Sequence, residues 1–101
     1  MQGPQGVAGP ADSQVLAPVT GTSAAGLSAG QTYSVSSTCP AGTKILGGGH
    51  AYTVSNRGQT NRISVGSYPS SATEWTILAR VNSGLGTAVT ISVSVYAVCT
   101  V

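Results

Sequence analysis

In the stretch from Thr87 to Val101, TAVTISVSVYAVCTV, apolar residues occupy every second position. Val89, Ile91, Val93, Val95, Ala97 and Cys99 fall on one side of an extended chain, and Thr90, Ser92, Ser94, Tyr96 and Thr100 on the other. Successive side chains of a strand point to opposite faces, so the pattern describes a strand with one buried and one wetter side. A helix would scatter the same residues around its circumference. A one-residue slip would turn the whole apolar set to water, so other strands must take their register from this one. The stretch carries Cys99, whose single possible intrachain partner is Cys39. The reading is an all-β domain with this strand as its spine, tied to the start of the domain by a Cys39–Cys99 disulfide. Two reduced thiols buried as apolar residues are the alternative.

A chain of 101 residues is one domain with at most an arm. Only 6% of its residues are charged, against roughly a quarter in an ordinary soluble protein. Val, Ile and Thr are plentiful, which argues against disorder and for a neutral, hydroxyl-rich surface. Lys44, Arg57, Arg62 and Arg80 against Asp12 and Glu74 give a formal net charge of +2. Binding to nucleic acid by counterion release needs clustered cations, so nucleic acid is not an expected partner. No apolar run reaches the length of a membrane-spanning helix, and no secretory signal pattern opens the chain.

The N-terminus reads Gly3-Pro4-Gln5, Gly6-Val7-Ala8, Gly9-Pro10-Ala11, three consecutive Gly-X-Y triplets. Only glycine fits the crowded axis of three supercoiled polyproline-like chains, which sets that period. Two readings stand: a flexible Gly/Pro-rich arm, or the end of a collagen-like stalk, in which case the domain that follows is a trimer. Residues 1–14 are assigned to this arm, with Gly3, Gly6 and Gly9 as its trimer positions, and 15–101 to the β domain.

Val15 to Val19 reads as a short strand that Pro18 confines to an edge or a subunit contact, since proline donates no ladder hydrogen bond. Gly21 to Gly30 is loop. Gln31 to Thr38 alternates and stops at Cys39-Pro40, where Pro-Ala-Gly makes a turn. Lys44 to Val54 is a strand interrupted by Gly47-Gly48-Gly49, which marks a bulge, a bend or the close approach of another backbone. The glycines lack the Gly-Lys-Ser/Thr step and the following helix of a phosphate-binding loop. Ser55 to Asn61 is a polar turn, and Ile63 to Tyr68 a strand closed by Pro69-Ser70-Ser71. In Glu74 to Val81, Trp75, Ile77, Ala79 and Val81 alternate with Glu74, Thr76, Leu78 and Arg80. Asn82 to Gly86 is expected to be a hairpin-like link into the last strand. Five or six closely spaced strands indicate a small β-sandwich or jelly-roll-like domain.

The block CPAGTKILGGGH, then SYPS, EWTILARVNS and VSVYAVC, resembles the small C-terminal domains that follow collagen-like repeats in bacteriophage tail fibres and in actinobacterial or phage-encoded collagen-like proteins. The likeness covers about Thr32 to Val101, and the triplets extend it. It implies a trimeric, non-enzymatic virion or cell-surface module, and it carries over no binding residues. The stalk here is far shorter than is usual in such proteins.

The residues offer little for catalysis. The carboxylates are Asp12, in the arm, and Glu74, on the outward side of its strand, so an acid/base pair would need the arm to fold back. No Cys-x-x-Cys or His-x-x-x-His spacing serves a metal, and no cofactor is expected. A Cys39-His50 nucleophile pair competes with the disulfide and the buried thiol, and His50 reads as a packing or interface residue. The chain is thus read as a non-enzyme. For binding, Tyr52, Asn56, Arg57, Asn61, Arg62 and Tyr68 lie in or beside two loops and are the types that meet a sugar, rings against C–H groups and amide or guanidinium against hydroxyls. Solvated turn charges and strand-ending tyrosines are the plainer account of the same residues. Trp75, which shares a face with Ile77 and Ala79, is assigned to the core or a trimer interface.

The expected function is a virion structural protein on the particle surface, displayed as a homotrimer among other virion proteins. If Met1 is the natural start, decoration of a capsid or head is expected. If it is not, the carbohydrate-binding tip of a collagen-stalked tail fibre or bacterial surface protein is the alternative, with a host surface glycan as ligand.

Overall fold

A computed structural model describes residues 13–101; the triplets with Gly3, Gly6 and Gly9 lie outside the described residues. Seven strands are present: β1 (Ser13–Val15), β2 (Val19–Thr22), β3 (Thr32–Thr38), β4 (Ile45–Val54), β5 (Ile63–Ser71), β6 (Glu74–Val81) and β7 (Ile91–Thr100), with a 3-10 helix over Arg57–Arg62 between β4 and β5. They form two antiparallel sheets. In the first, β7 is central, with β1 and β2 end to end along one edge and β4 along the other. The second has the order β3-β6-β5. The domain is all-β.

β7 has the role its alternation predicts. Ile91, Val93, Val95, Ala97 and Cys99 are buried, and Ser92, Ser94, Tyr96, Val98 and Thr100 face outward, half-buried. From the facing sheet, Ile77, Ala79 and Val81 of β6 pack with Ile91, Val93 and Val95 into one core, which Val54, Ile63, Leu85 and Val89 complete. Thr87 to Thr90 stand outside the strand, so the spine is shorter than the pattern suggested, although Val89 still reaches the core.

Pro18 divides the stretch read as one short strand. β1 ends before it and β2 begins after it, and both bond to β7 on the edge side, where a residue without an N–H interrupts least. Pairing begins at Ser13, opposite Thr100. Pro69 lies within β5 rather than closing it: β5 is an edge strand, and a register shift between Pro69 and Ser71 absorbs the lost donor. The polar turn of Ser55 to Asn61 is largely the 3-10 helix, capped by the Asn56 side chain, which accepts from the Gly58 N–H at 3.0 Å.

The expected hairpin at Asn82–Gly86 is not formed. β6 and β7 belong to different sheets, so the segment crosses the sandwich. Its backbone is held by Arg62, whose carbonyl accepts from the Asn82 and Ser83 N–H groups and whose guanidinium donates to the Gly84 carbonyl. Leu85 turns into the core from the middle of the crossing.

The cysteines are joined. The Cys39–Cys99 bond links the end of β3 to the end of β7 across 60 residues, with the Cα atoms 5.9 Å apart. Around it Ala97, Leu16, Ile45 and Trp75 form a second, smaller cluster. Trp75 packs against both clusters and is a core residue. Its Nε1–H has no acceptor among the described residues, so the ring contributes packing area rather than a hydrogen bond.

Candidate functional site

Following the strands from end to end gives the domain two poles. At one, Ser13 of β1 pairs with Thr100 of β7, beside the Cys39–Cys99 bond, and Lys44 and Glu74 stand at the starts of β4 and β6. At the other lie the 3-10 helix, the crossing segment with Arg62 bound to it, and Arg80, opposite Ser64 and Thr32 near the end of β6. Arg57, Arg62 and Arg80 are therefore gathered in the half of the domain away from the arm. Glu74 is the one carboxylate side chain among the described residues. It sits six residues before Arg80 on the same strand, about 20 Å away at some 3.3 Å per residue.

The outer face of the second sheet follows from its register. Thr32, Ser34, Ser36 and Thr38 of β3 stand beside Arg80, Leu78, Thr76 and Glu74 of β6, and Ser64, Gly66 and Tyr68 of β5 complete the rows. Near the arm pole this face is a hydroxyl network. The Thr76 Oγ1 lies 2.7 Å from the Ser36 Oγ and 2.6 Å from the Ser70 Oγ. Glu74 accepts from Ser70 at 3.1 Å and from Thr38 at 3.2 Å. Toward the other pole the face opens into a shallow groove of about 350 Å³ lined by Ser64, Gly66, Tyr68, Leu78 and Arg80. A side chain on Gly66 would meet nothing within 4 Å, so its absence leaves the groove's floor bare. A second groove, of about 220 Å³, lies on the first sheet between Thr20, Ala51, Tyr52, Thr53, Ser92 and Ser94.

The residues expected to form one sugar site are distributed. Tyr52 and Tyr68, both more than a third exposed, line different grooves on different sheets. Asn56 caps the 3-10 helix, Arg57 opens it, exposed, and Asn61 and Arg62 end it, Arg62 bound to the Gly84 carbonyl at 2.8 Å. Tyr68 is joined instead by Leu78 and Arg80, which loop-centred reasoning passes over. Only the strand register places Arg80 beside Ser64 and Leu78 beside Gly66.

The His50 Nδ1 lies 2.7 Å from the Ser67 Oγ, bridging β4 and β5 where the two sheets meet at an open edge. The distance is that of a nucleophile and its base, but such a pair also needs a third group to orient the imidazole. Glu74 is on the outer face of the second sheet and engaged by hydroxyls, whereas Ser67, opposite Ile77, belongs to the inner one. Cys39 is in the disulfide, so it does not pair with His50. Among the described residues no three His, Cys, Asp or Glu side chains are placed to hold a metal ion.

No family model, curated protein or solved structure matches the chain.

Proposed function

We propose that the chain is a non-enzymatic structural module of a phage virion, displayed as a homotrimer on the particle surface as a capsid decoration or head-surface protein. The observation that carries this reading is the domain's polarity. β1, which follows the Gly-X-Y segment in sequence, is bonded to β7 at one pole beside the disulfide, while the polar loops and three arginines lie toward the other. A module anchored by its arm presents that second pole outward. The neutral, hydroxyl-rich surface and the cross-linked sandwich suit a part that must persist outside a cell. The virion setting itself rests on the resemblance of the Cys-Pro-Ala-Gly, Gly-Gly-Gly, Trp and Tyr-Ala-Val-Cys segments to domains that follow collagen-like repeats.

The test is deletion of Met1 to Ala11 from the gene carried by the particle, with the number of copies per particle counted afterwards. Reduced occupancy with the domain still folded is expected. Unchanged occupancy removes the decoration reading.

A second reading, a receptor-binding tip that takes an acidic surface glycan, is favoured by one observation. The groove over Gly66 combines the Tyr68 ring, an aliphatic wall at Leu78 and the Arg80 guanidinium in the arginine-bearing half of the domain. A ring against sugar C–H groups and a guanidinium against a carboxylate are complementary to such a ligand.

A further inference from the structure

The two outer faces of the sandwich differ in kind. The second sheet's face carries Glu74, Arg80 and a network of serine and threonine hydroxyls. On the first sheet the outward row of β7 is Ser92, Ser94, Tyr96, Val98 and Thr100; its neighbours are Thr22, Thr20, Val15 and Ser13 on one side and Thr53, Ala51, Gly49 and Gly47 on the other. None of these is charged. The row is also graded: hydroxyls occupy the end near β2, apolar groups follow at Tyr96 and Val98, and Thr100 with Ser13 closes the β1 end, where Lys44 is hydrogen-bonded to Thr100. Val15 stands opposite Val98 and is 69% exposed, and Leu46, set in the register shift between Ile45 and Gly47, is 58% exposed. The Tyr96 ring lies over Gly49, where an added Cβ would fall 2.6 Å from its Cε1 and Cζ. Gly47, beside Val98, has open space above it.

Large apolar side chains left exposed on either side of β7, with the one nearby charge, Lys44 beside Thr100, at the edge of the patch, are what the core of a protein–protein contact presents, since charge is depleted there and polar groups are kept to the rim. The occupant follows from where the chain continues. Twelve residues precede Ser13, and nine of them are Gly-X-Y triplets ending at Ala11. In the homotrimer reading the triplets of three copies run together along one axis. Only Asp12 separates Ala11 from Ser13, two Cα steps of about 3.8 Å, so in that reading three copies of β1 start within about 10 Å of the axis. The strand brought to the axis is the one that bears Val15, against Val98 and across β7 from Leu46.

We propose that three copies of this chain pack about the arm's axis through the apolar patch of the first sheet's outer face, with Val15, Leu46, Tyr96 and Val98 at the contact and the open cleft over Gly47 receiving a side chain of the neighbouring copy. The second sheet and its charged residues face outward. This rests on the homotrimer reading above and assigns it a surface. The three-fold arrangement is closed, so every copy uses the same patch and none is left to propagate a filament.

The test uses the whole chain. Sedimentation at micromolar concentration is measured for the native protein, for the Val15→Glu/Leu46→Glu pair, and for Ser34→Glu/Thr32→Glu, which adds the same two charges to the exposed outer face of the second sheet. The native protein and Ser34→Glu/Thr32→Glu are expected to be trimers, and Val15→Glu/Leu46→Glu a monomer with the native circular dichroism, because charges buried without partners weaken the contact by at least about a hundredfold. A native protein that is not a trimer removes the homotrimer reading itself. A trimer that survives Val15→Glu/Leu46→Glu, or that Ser34→Glu/Thr32→Glu dissociates, leaves the homotrimer standing and removes this surface. If Val15→Glu/Leu46→Glu does not fold, hydroxyl-radical footprinting of the native trimer decides: Leu46 and Tyr96 are expected to be protected while Tyr68 is labelled, and equal labelling of all three overturns the assignment.

Discussion

The Trp75 indole occupies the space that a side chain on Gly48 would fill: an added Cβ would lie 2.5 Å from the ring's Cδ1 and 2.6 Å from its Cδ2. The two residues belong to different sheets, and the missing side chain lets the largest residue in the domain lie flat on the facing backbone. Gly21 does the same for Tyr33, and Gly49 takes the Tyr96 ring on the outer face. Gly48 and Gly49 of β4 are thus seats for aromatic rings.

Gly48→Ala is accordingly expected to destabilise the domain by about 1–3 kcal/mol through overpacking. That lowers the melting temperature by roughly 4–8 °C per kcal/mol in a domain of this size. Gly66→Ala, with nothing within 4 Å of the new methyl and outside the proposed contact between copies, is the control and is expected to be neutral or slightly stabilising. Equal melting temperatures for the two variants would show that the indole is not what Gly48 accommodates.

How far the fold is legible depends on whether the signal is local. The limits of β6 coincide with the alternation from Glu74 to Val81 because a half-buried strand writes its two faces into consecutive residues. The covalent tie between Cys39 and Cys99 follows from there being only two cysteines, once they pair. The course of Asn82–Gly86 is not local: turn residues announce a change of direction but not which sheet receives the next strand. The β4 glycines announce a bulge, a bend or a close approach without saying which: the register shifts between Ile45 and Gly47, and Gly48 and Gly49 each meet an aromatic ring rather than another backbone. The groove around Gly66 depends on the pairing of β5 with β6, which neither strand reveals alone.

Reducing the Cys39–Cys99 bond releases a loop of 60 residues in the unfolded chain. In the chain-entropy model this removes about 4 kcal/mol of stability. Guanidinium titrations with and without reductant are expected to differ by that amount in unfolding free energy, and the double variant Cys39→Ala/Cys99→Ala is expected to lie near the reduced protein. Coincident titration curves would mean that the bond constrains nothing the sheets do not already fix.

Ser37 is 1% exposed on β3, and its Oγ accepts from the Ala97 N–H of β7 at 3.2 Å, a hydrogen bond between the two sheets. Ser37→Ala leaves that amide without its acceptor and is expected to cost about 1–3 kcal/mol. Ser36→Ala loses a half-buried hydroxyl contact to Thr76, which Ser70 also engages, and is expected to cost less. Thermal unfolding of the two variants gives the comparison, and a Ser36→Ala loss as large as that of Ser37→Ala would show that the buried bridge has no special weight.

The remaining prediction separates display from binding. In the glycan reading, the Tyr68 ring and the Arg80 guanidinium touch the ligand from the groove over Gly66, and Arg57 adds charge from the 3-10 helix without lining that groove. Tyr68→Ala and Arg80→Ala, each on an exposed side chain, are then expected to reduce binding to acidic glycans on an array or on host cells at least about tenfold, with unchanged melting temperature. Arg57→Ala is expected to do less, and its effect to fade with added salt, because a screened surface charge acts over about a Debye length. In the decoration reading the same three variants leave infectivity and particle occupancy intact, and only removal of Met1 to Ala11 reduces occupancy. A groove residue contributes to the ligand contact and an arm residue to the attachment, so the two sets of variants must sort oppositely. Loss of host attachment by Tyr68→Ala at full occupancy identifies a receptor tip; loss of occupancy on arm deletion, with Tyr68→Ala silent, identifies a decoration.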